Sequence, residues 1–442
     1  PDGHFSGQGN FTNPFAVIAT GARDTYKSDD IWITSGFTLT PIKNIKIVGD
    51  YTWNPYHMNS KNNVKMFKEY GAPTDGKSIY DPDKATDLGY YPHNNPATVY
   101  EANSHDLYKA ANIYAQYENT FAEKHYFKAM VGYNQESKHN ESFSVQVKNL
   151  VNQDYPFLKL NNDDKPSVGS GISDWALIGS FFRLNYVYNQ KYLVEVNGRY
   201  DGSSRFSREN RYVFSPSASL GWRISKEKFF EPINSVVSDL KFRVSYGKLP
   251  NQQVNALYPY LPTMPYGNQT GYIFGTQQLP YVSAPGLVSN NFTWEEVATR
   301  NFGVDFGFLN NRLTGSFDYY IRNTTGMLVN GLALPAVLGV GAPQRNAADL
   351  ETKGFELTLG WHDAIGEDFK YGVSFNLADS RSFITKYDLN PTGSLGDYYV
   401  GREIGEIWGY TTEGLYQTDE DAAKLDKTKL AGYKWLAGDV KY

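Results

Sequence analysis

The side chains that most often carry chemistry are present in this chain but are not spaced for it. The seven His, at positions 4, 57, 93, 105, 125, 139 and 362, form no HxxxH or HExxH pair, so no metal centre is expected. Asp81-Asp83 and Asp163-Asp164 could draw calcium, yet neither has the spaced ligands and glycine of an EF-hand loop, and solvated loop is the better reading. Gly339-Val340-Gly341-Ala342-Pro343 is rich in glycine, but it lies in a long loop and reads as a turn, not a phosphate cradle. Glu295-Glu296 offers two carboxylates, as glycoside hydrolysis requires, but neighbours on a strand point to opposite faces and cannot flank one bond. Without Cys, thiolate, disulfide and cysteine-nucleophile chemistry are excluded together. A net charge of -5 with no basic tract gives nucleic acid nothing to hold. No enzyme and no cofactor is expected.

Aromatic residues are the exception. Between Pro250 and Ala298 stand Tyr258, Tyr260, Tyr266, Tyr272, Phe274, Tyr281 and Trp294 among Gly, Asn and Gln, a mixture that stacks flat apolar faces and donates hydrogen bonds. Sugars and peptides both suit such a surface. The same rings could instead pack the loop against itself, its neighbours or a partner protein, and both uses stay open. Tyr398, Tyr399, Trp408 and Tyr410 form a second cluster with the same ambiguity.

The elements that must position these loops have a period of two. Phe302, Val304, Phe306 and Phe308 share one face while Asn301, Gly303, Asp305 and Gly307 take the other. After Asn310-Asn311, a pair suited to a tight hairpin, Leu313, Gly315, Phe317, Tyr319 and Ile321 alternate with Arg312, Thr314, Ser316 and Asp318. Phe369, Tyr371, Val373, Phe375 and Leu377 alternate with Lys370, Ser374 and Asn376. Roughly twelve such strands run from Ile31 to Leu377, each near the nine to eleven residues that a tilted membrane-spanning strand needs.

Connections alternate between short and long. Short ones lie near Pro41 to Asn44, Ala122-Glu123, Asn189-Gln190, Asn310-Asn311 and Ala364 to Asp368, with a medium one from Ser225 to Asp239. Long ones cover about 54–107, 136–174, 201–211, 250–298, 323–351 and 380–442. That alternation marks an all-β transmembrane antiparallel barrel with extracellular long loops. Aromatics are 16% of the chain, and Trp53, Tyr117, Tyr133, Tyr200, Trp222, Tyr246 and Trp361 fall at strand ends, where lipid headgroups would lie. In a bacterial outer-membrane barrel Arg312, Thr314, Ser316, Asp318, Lys370 and Asn376 would face the lumen. A soluble carbohydrate-binding β-protein is the rival from outside the membrane, and it would have to bury its apolar faces within the chain.

Several segments together resemble one family. Arg199-Tyr200-Asp201-Gly202-Ser203-Ser204-Arg205-Phe206, Phe214-Ser215-Pro216-Ser217 and Gly221-Trp222-Arg223-Ile224 are similar to the signature stretch of SusC/RagA-type TonB-dependent outer-membrane transporters of the Bacteroidetes. Ser245-Tyr246-Gly247-Lys248-Leu249-Pro250-Asn251-Gln252 follows, with Pro250 where the family usually has Gly. Asn301-Phe302-Gly303-Val304-Asp305, Asn311-Arg312-Leu313, Asp318-Tyr319-Tyr320, Leu334-Pro335 and Lys353-Gly354-Phe355-Glu356 continue the resemblance in order. It implies a barrel of about 22 strands with an N-terminal plug, of which this chain would be the middle part. It also implies active import of a polar nutrient, with a SusD-like surface lipoprotein at the mouth, TonB gripping segments outside this chain, and lipid around the barrel. The family's common cargo favours oligosaccharide over peptide. The rival within the membrane is a passive porin, which would carry no plug.

Overall fold

The computed structural model describes residues 4–7, 13–71, 85–254, 256–268, 273, 275–276, 279–289, 292–366, 368–424 and 435–442. Its framework is one antiparallel sheet of thirteen strands: β1 (Asp24–Asp30), β2 (Ile33–Ile42), β3 (Ile45–Val64), β4 (Thr98–Phe121), β5 (His125–Lys148), β6 (Ser167–Tyr188), β7 (Tyr192–Ser203), β8 (Tyr212–Arg223), β9 (Val237–Asn251), β10 (Glu295–Phe308), β11 (Leu313–Asn330), β12 (Gln344–Ile365) and β13 (Phe369–Tyr387). From β3 onward each strand pairs with its sequence neighbours, while β1 and β2 lie end to end along the same edge of β3. Two collinear pieces make one row, so the sheet is twelve rows wide, as the alternation predicts. Pro55, which has no N–H, stands opposite the break, where Asn54 Nδ2 donates to Asp30 Oδ1 at 2.6 Å and to the Ile31 carbonyl at 3.1 Å.

Register makes the two faces chemically distinct. Val194, Leu220, Val244, Phe302 and Tyr319 are paired in one row across β7, β8, β9, β10 and β11. One residue along, Glu195, Ser219, Ser245 and Asn301 form the next row on the opposite face. Because side chains alternate, a single-residue slip would exchange these rows entirely. The apolar face is exposed, with Leu220 at 59%, Phe302 at 49% and Val244 at 45% of full accessibility. Clusters of fully buried side chains occur off the sheet: Ala16 with Phe67 and Tyr91, and Phe206 with Phe292 and Trp294. A soluble sandwich hides one face of its sheet in a core; here, among the described residues, no second layer covers the broad apolar face.

Tight turns close the short connections. Ala122, Glu123, Asn189 and Gln190 all have positive φ, and the Lys124 and Lys191 amides donate to the Phe121 and Tyr188 carbonyls at 3.2 and 2.9 Å. Such paired left-handed residues match the twist of the strands they join. Leu309, Asn310 and Asn311 do the same between β10 and β11, confirming those strands as neighbours.

The structure corrects the loop boundaries. Residues 54–64 and 98–107, expected in one long loop, continue β3 and β4, and residues 136–148 and 167–174 continue β5 and β6. Likewise β11 runs to Asn330, β12 starts at Gln344 and β13 runs to Tyr387. These extensions are rich in Asn, Ser, Lys and Glu on both faces, so they lack the apolar alternation that marks a strand in sequence. Their ladder hydrogen bonds hold them regardless of side-chain polarity.

At the end of the sheet with the short turns, Glu227, in the medium link, gathers three donors. Lys191 Nζ reaches Glu227 Oε2 at 2.8 Å, while Tyr192 Oη and Trp222 Nε1 reach Oε1 at 2.7 and 3.2 Å. The lysine, then the tyrosine hydroxyl, hold the Glu227 carboxyl down at about 2. A depressed carboxylate contributes its full stabilisation above its unfolded value and loses it progressively as pH falls from there through the folded one. Wild-type protein should therefore keep amide-exchange protection over residues 224–236 at pH 4, and lose it as pH approaches about 2. Glu227→Gln should lack that protection at pH 7.

Candidate functional site

The polar face is a continuous network. On β7, Arg199 Nε donates to Asp201 Oδ1 and Oδ2 at 2.7 and 2.9 Å, and its Nη2 donates to Asn134 Oδ1 of β5 at 2.6 Å. Arg183 Nε donates to Asn197 Oδ1 at 2.8 Å, and Asn197 Nδ2 to Glu195 Oε1 at 2.8 Å. Further round, Arg243 bridges Asp305 and Asp318, at 2.8 and 2.9 Å from Nη2. Asn134, Arg183, Arg199, Asp201, Gln252 and Trp294 help to line a recess of about 700 Å³. Nearly every charge here meets its opposite, so the face is wet and polar without a strong field of one sign.

Close packing of this face needs glycine where long side chains cross a strand. A Cβ on Gly179 would meet Arg199 Nη2, Asn134 Oδ1 and Asp201 Oδ1, all at 2.5 Å or less. The Arg199 network occupies the space that this glycine leaves.

The residues expected on the lumen side do share this face. Asp318 takes Arg243, Ser316 is registered with Asp305 and Thr358, Asn376 with Thr358, and Lys370 with Ala364. Thr314 Oγ1 lies 3.5 Å from the Gly360 carbonyl, and Arg312, at the turn, sits 3.4 Å from Asp363 Oδ2. They lie apart from the recess.

The aromatic loop divides into two roles. Trp294 is only 7% exposed: it stacks on Phe206 with ring centroids 4.5 Å apart and donates from Nε1 to the Asn210 carbonyl at 3.0 Å. Phe292 completes the cluster, and Asn346 pins Thr293 through two hydrogen bonds of 3.0 and 2.9 Å. Where β7 ends, the free edge of β6 is capped: Ser204 exchanges 3.0 Å hydrogen bonds with Ala176, and Tyr258 Oη donates to the Asp174 carbonyl at 2.6 Å. Tyr260 Oη reaches the Ser204 carbonyl at 3.3 Å. Burial and the Asp174 charge push the Tyr258 hydroxyl up, which keeps it a donor. Three of the seven rings thus fasten the loop, whereas Tyr266 and Tyr281, on a two-stranded ribbon, are 76% and 41% exposed. Tyr272 and Phe274 lie outside the described residues.

Sequence reasoning saw no site at Asn197 and Arg199, because partners of these two come from β5 and β6 as well as from β7 itself. It also read the His as scattered. His57 and His105 are in fact directly opposite on β3 and β4, with Nδ1 atoms 3.0 Å apart. Among the described residues no group of three or more His, Cys, Asp or Glu could hold a metal.

Comparison with known proteins agrees with this geometry. The family described as "TonB dependent receptor-like, beta-barrel" matches residues 2–438. "TonB-dependent receptor SusC" of Bacteroides thetaiotaomicron is 33% identical over 314 residues, which is 70% of this chain and 30% of that protein. "TonB-dependent receptor P26" of Formosa agariphila is 26% identical over 442 residues, 96% of this chain and 41% of that protein. The chain therefore spans well under half the length of these curated relatives. Among solved structures, the RagAB peptide importer in its closed-closed state superposes with a TM-score of 0.71 at 21% identity, over 88% of this chain and 40% of that one. At that identity the likeness shows a shared fold.

Trp294→Ala should cost about 3–5 kcal/mol, the usual range for removing a buried tryptophan. It should also open residues 252–294 to limited proteolysis. Tyr266→Ala and Tyr281→Ala should leave the thermal midpoint unchanged, which separates the fastening rings from the displayed ones.

Proposed function

This chain belongs to the TonB-dependent receptor β-barrel family, as an outer-membrane β-barrel segment of the SusC/RagA type, and we propose that the whole protein actively imports an oligosaccharide. The observation that carries the reading is the register: apolar and polar rows alternate across β7 to β11, giving one surface suited to lipid and one suited to water and solute. The long loops are extracellular in this reading, the short turns periplasmic, and the polar face, with Arg312, Thr314, Ser316, Asp318, Lys370 and Asn376, lines the lumen. The whole of residues 1–442 is then part of one barrel domain. Cargo is held between the loops and a SusD-like lipoprotein, with Tyr266 and Tyr281 among the displayed contacts. TonB, acting on segments outside this chain, supplies the work. The process is transport without a chemical step.

Peptide is the second cargo class, supported by the fold shared with the RagAB peptide importer. Purification of the full-length protein from outer membranes, with mass spectrometry of what accompanies it, tests the proposal. A SusD-like lipoprotein with bound oligosaccharide is expected. Bound peptide would overturn the cargo, and a barrel that arrives alone and conducts solutes passively would overturn active import.

The two faces are tested by neighbouring residues. Val244→Arg should destabilise the folded barrel in bilayers by about 2–4 kcal/mol, the cost of a cation on the lipid face near mid-membrane. Ser245→Arg, one residue along on the polar face, should change stability by less than about 1 kcal/mol. Both are read from urea unfolding in liposomes.

A further inference from the structure

Above the Arg199 network, one register row of the polar face alternates aromatic rings with nitrogen donors. Asn54 on β3 is paired with Tyr108 on β4, Tyr108 with Lys138 on β5, and Lys138 with Trp175 on β6. Trp32, in the break between β1 and β2, and Arg205, two residues past the end of β7, stand at the two ends of this row. The rings lean across the shorter or extended side chains between them. Trp32 and Tyr108 have centroids 5.9 Å apart, Tyr108 and Trp175 6.3 Å apart, and the Arg205 guanidinium stands 6.0 Å over Trp175. The result is an aromatic strip spanning five strand positions on the polar face.

The strip is not core. Trp32 is 60% exposed and Tyr108 and Trp175 are half-buried, so this chain's own residues leave ring surface uncovered. Its polar borders are already engaged within the protein. Tyr108 Oη donates to Glu136 Oε2 at 3.1 Å, Lys138 Nζ meets Asp106 Oδ2 at 2.7 Å, and Arg205 Nη1 donates to the Gln252 carbonyl at 3.3 Å. Glu136, which takes the Tyr108 hydroxyl, also lines the 700 Å³ recess on the same face. The strip therefore adjoins open volume.

We propose that Trp32, Tyr108 and Trp175 form a subsite for an uncharged oligosaccharide, whose pyranose faces stack along the strip while its hydroxyls meet the bordering Asn, Glu, Lys and Arg groups. This deepens the import reading and rests on it. Three features select that ligand. Flat, carbon-bound faces suit aromatic surfaces, and edge hydroxyls suit a border of donors and acceptors. Ion pairing of Lys138 with Asp106 leaves little net positive charge for a uronate or sulfate. The strands bearing Tyr108 and Lys138 are hydrogen-bonded on both sides, so an extended peptide laid here finds no main-chain ladder to join.

Binding of maltohexaose, xylohexaose, mannohexaose and pentaalanine to the full-length protein in detergent, followed by calorimetry, tests the subsite. At least one hexasaccharide should bind. Trp32→Ala and Trp175→Ala should each weaken it about tenfold, and Trp175→Phe, which keeps a ring, should recover most of the loss. Tyr108→Phe, which keeps the stacking face, should stay within about twofold. Unchanged thermal midpoints would show that the variants fold. A hexasaccharide bound equally well by wild type and by both alanine variants would overturn the subsite while leaving oligosaccharide import standing. Binding of pentaalanine alone, or of no hexasaccharide, would overturn both.

Discussion

Everything in this molecule depends on one constraint: a strand that crosses lipid must find partners for all its backbone N–H and C=O groups in neighbouring strands, since hydrocarbon offers none. Ladder hydrogen bonding sets the order of the sheet, and the tight turns at Ala122-Glu123 and Asn189-Gln190 accept left-handed backbone to keep neighbours in register. Once the ladder is fixed, side-chain direction follows without further choice. Val244 must point one way and Ser245 the other.

From that division come the two environments. The row of Val194, Leu220, Val244 and Phe302 is only partly covered by its neighbours, and the apolar surface left over suits lipid. On the other face, two arginines are met by carboxylate and amide groups: Arg199 by Asp201 and Asn134, Arg243 by Asp305 and Asp318. A charge buried there without such a partner would be costly. The loop from Gln252 to Trp294 obeys the same rule at the rim. Tyr258 and Ser204 satisfy the edge of β6 exposed by the end of β7, and Trp294 gives the loop its own small core.

Legibility followed apolar contrast. Where lipid demands an apolar face, as from Asn301 to Ile321, strand, turn and facing were all readable from residue types. Above the lipid that demand ceases, and the Asn- and Ser-rich extensions of β3 to β6 were taken for loop. The aromatic loop was readable as a cluster but not as to role. Trp294 and Tyr266 look alike in sequence, and only the proximity of Phe206 and Asn210 makes one a fastener while the other stays displayed.

By itself the sequence determined the period-two alternation, the alternation of short and long connections, the absence of catalytic spacing and the family resemblance, because each is a local property of neighbouring residues. Tertiary structure alone decided which distant residues meet. Asn134 and Arg199 are brought together with Asp201, His57 with His105, and Trp32 with Tyr108 and Trp175, by register between strands. Register is a property of pairs of strands, set by turns and ladder hydrogen bonds, and no single segment contains it.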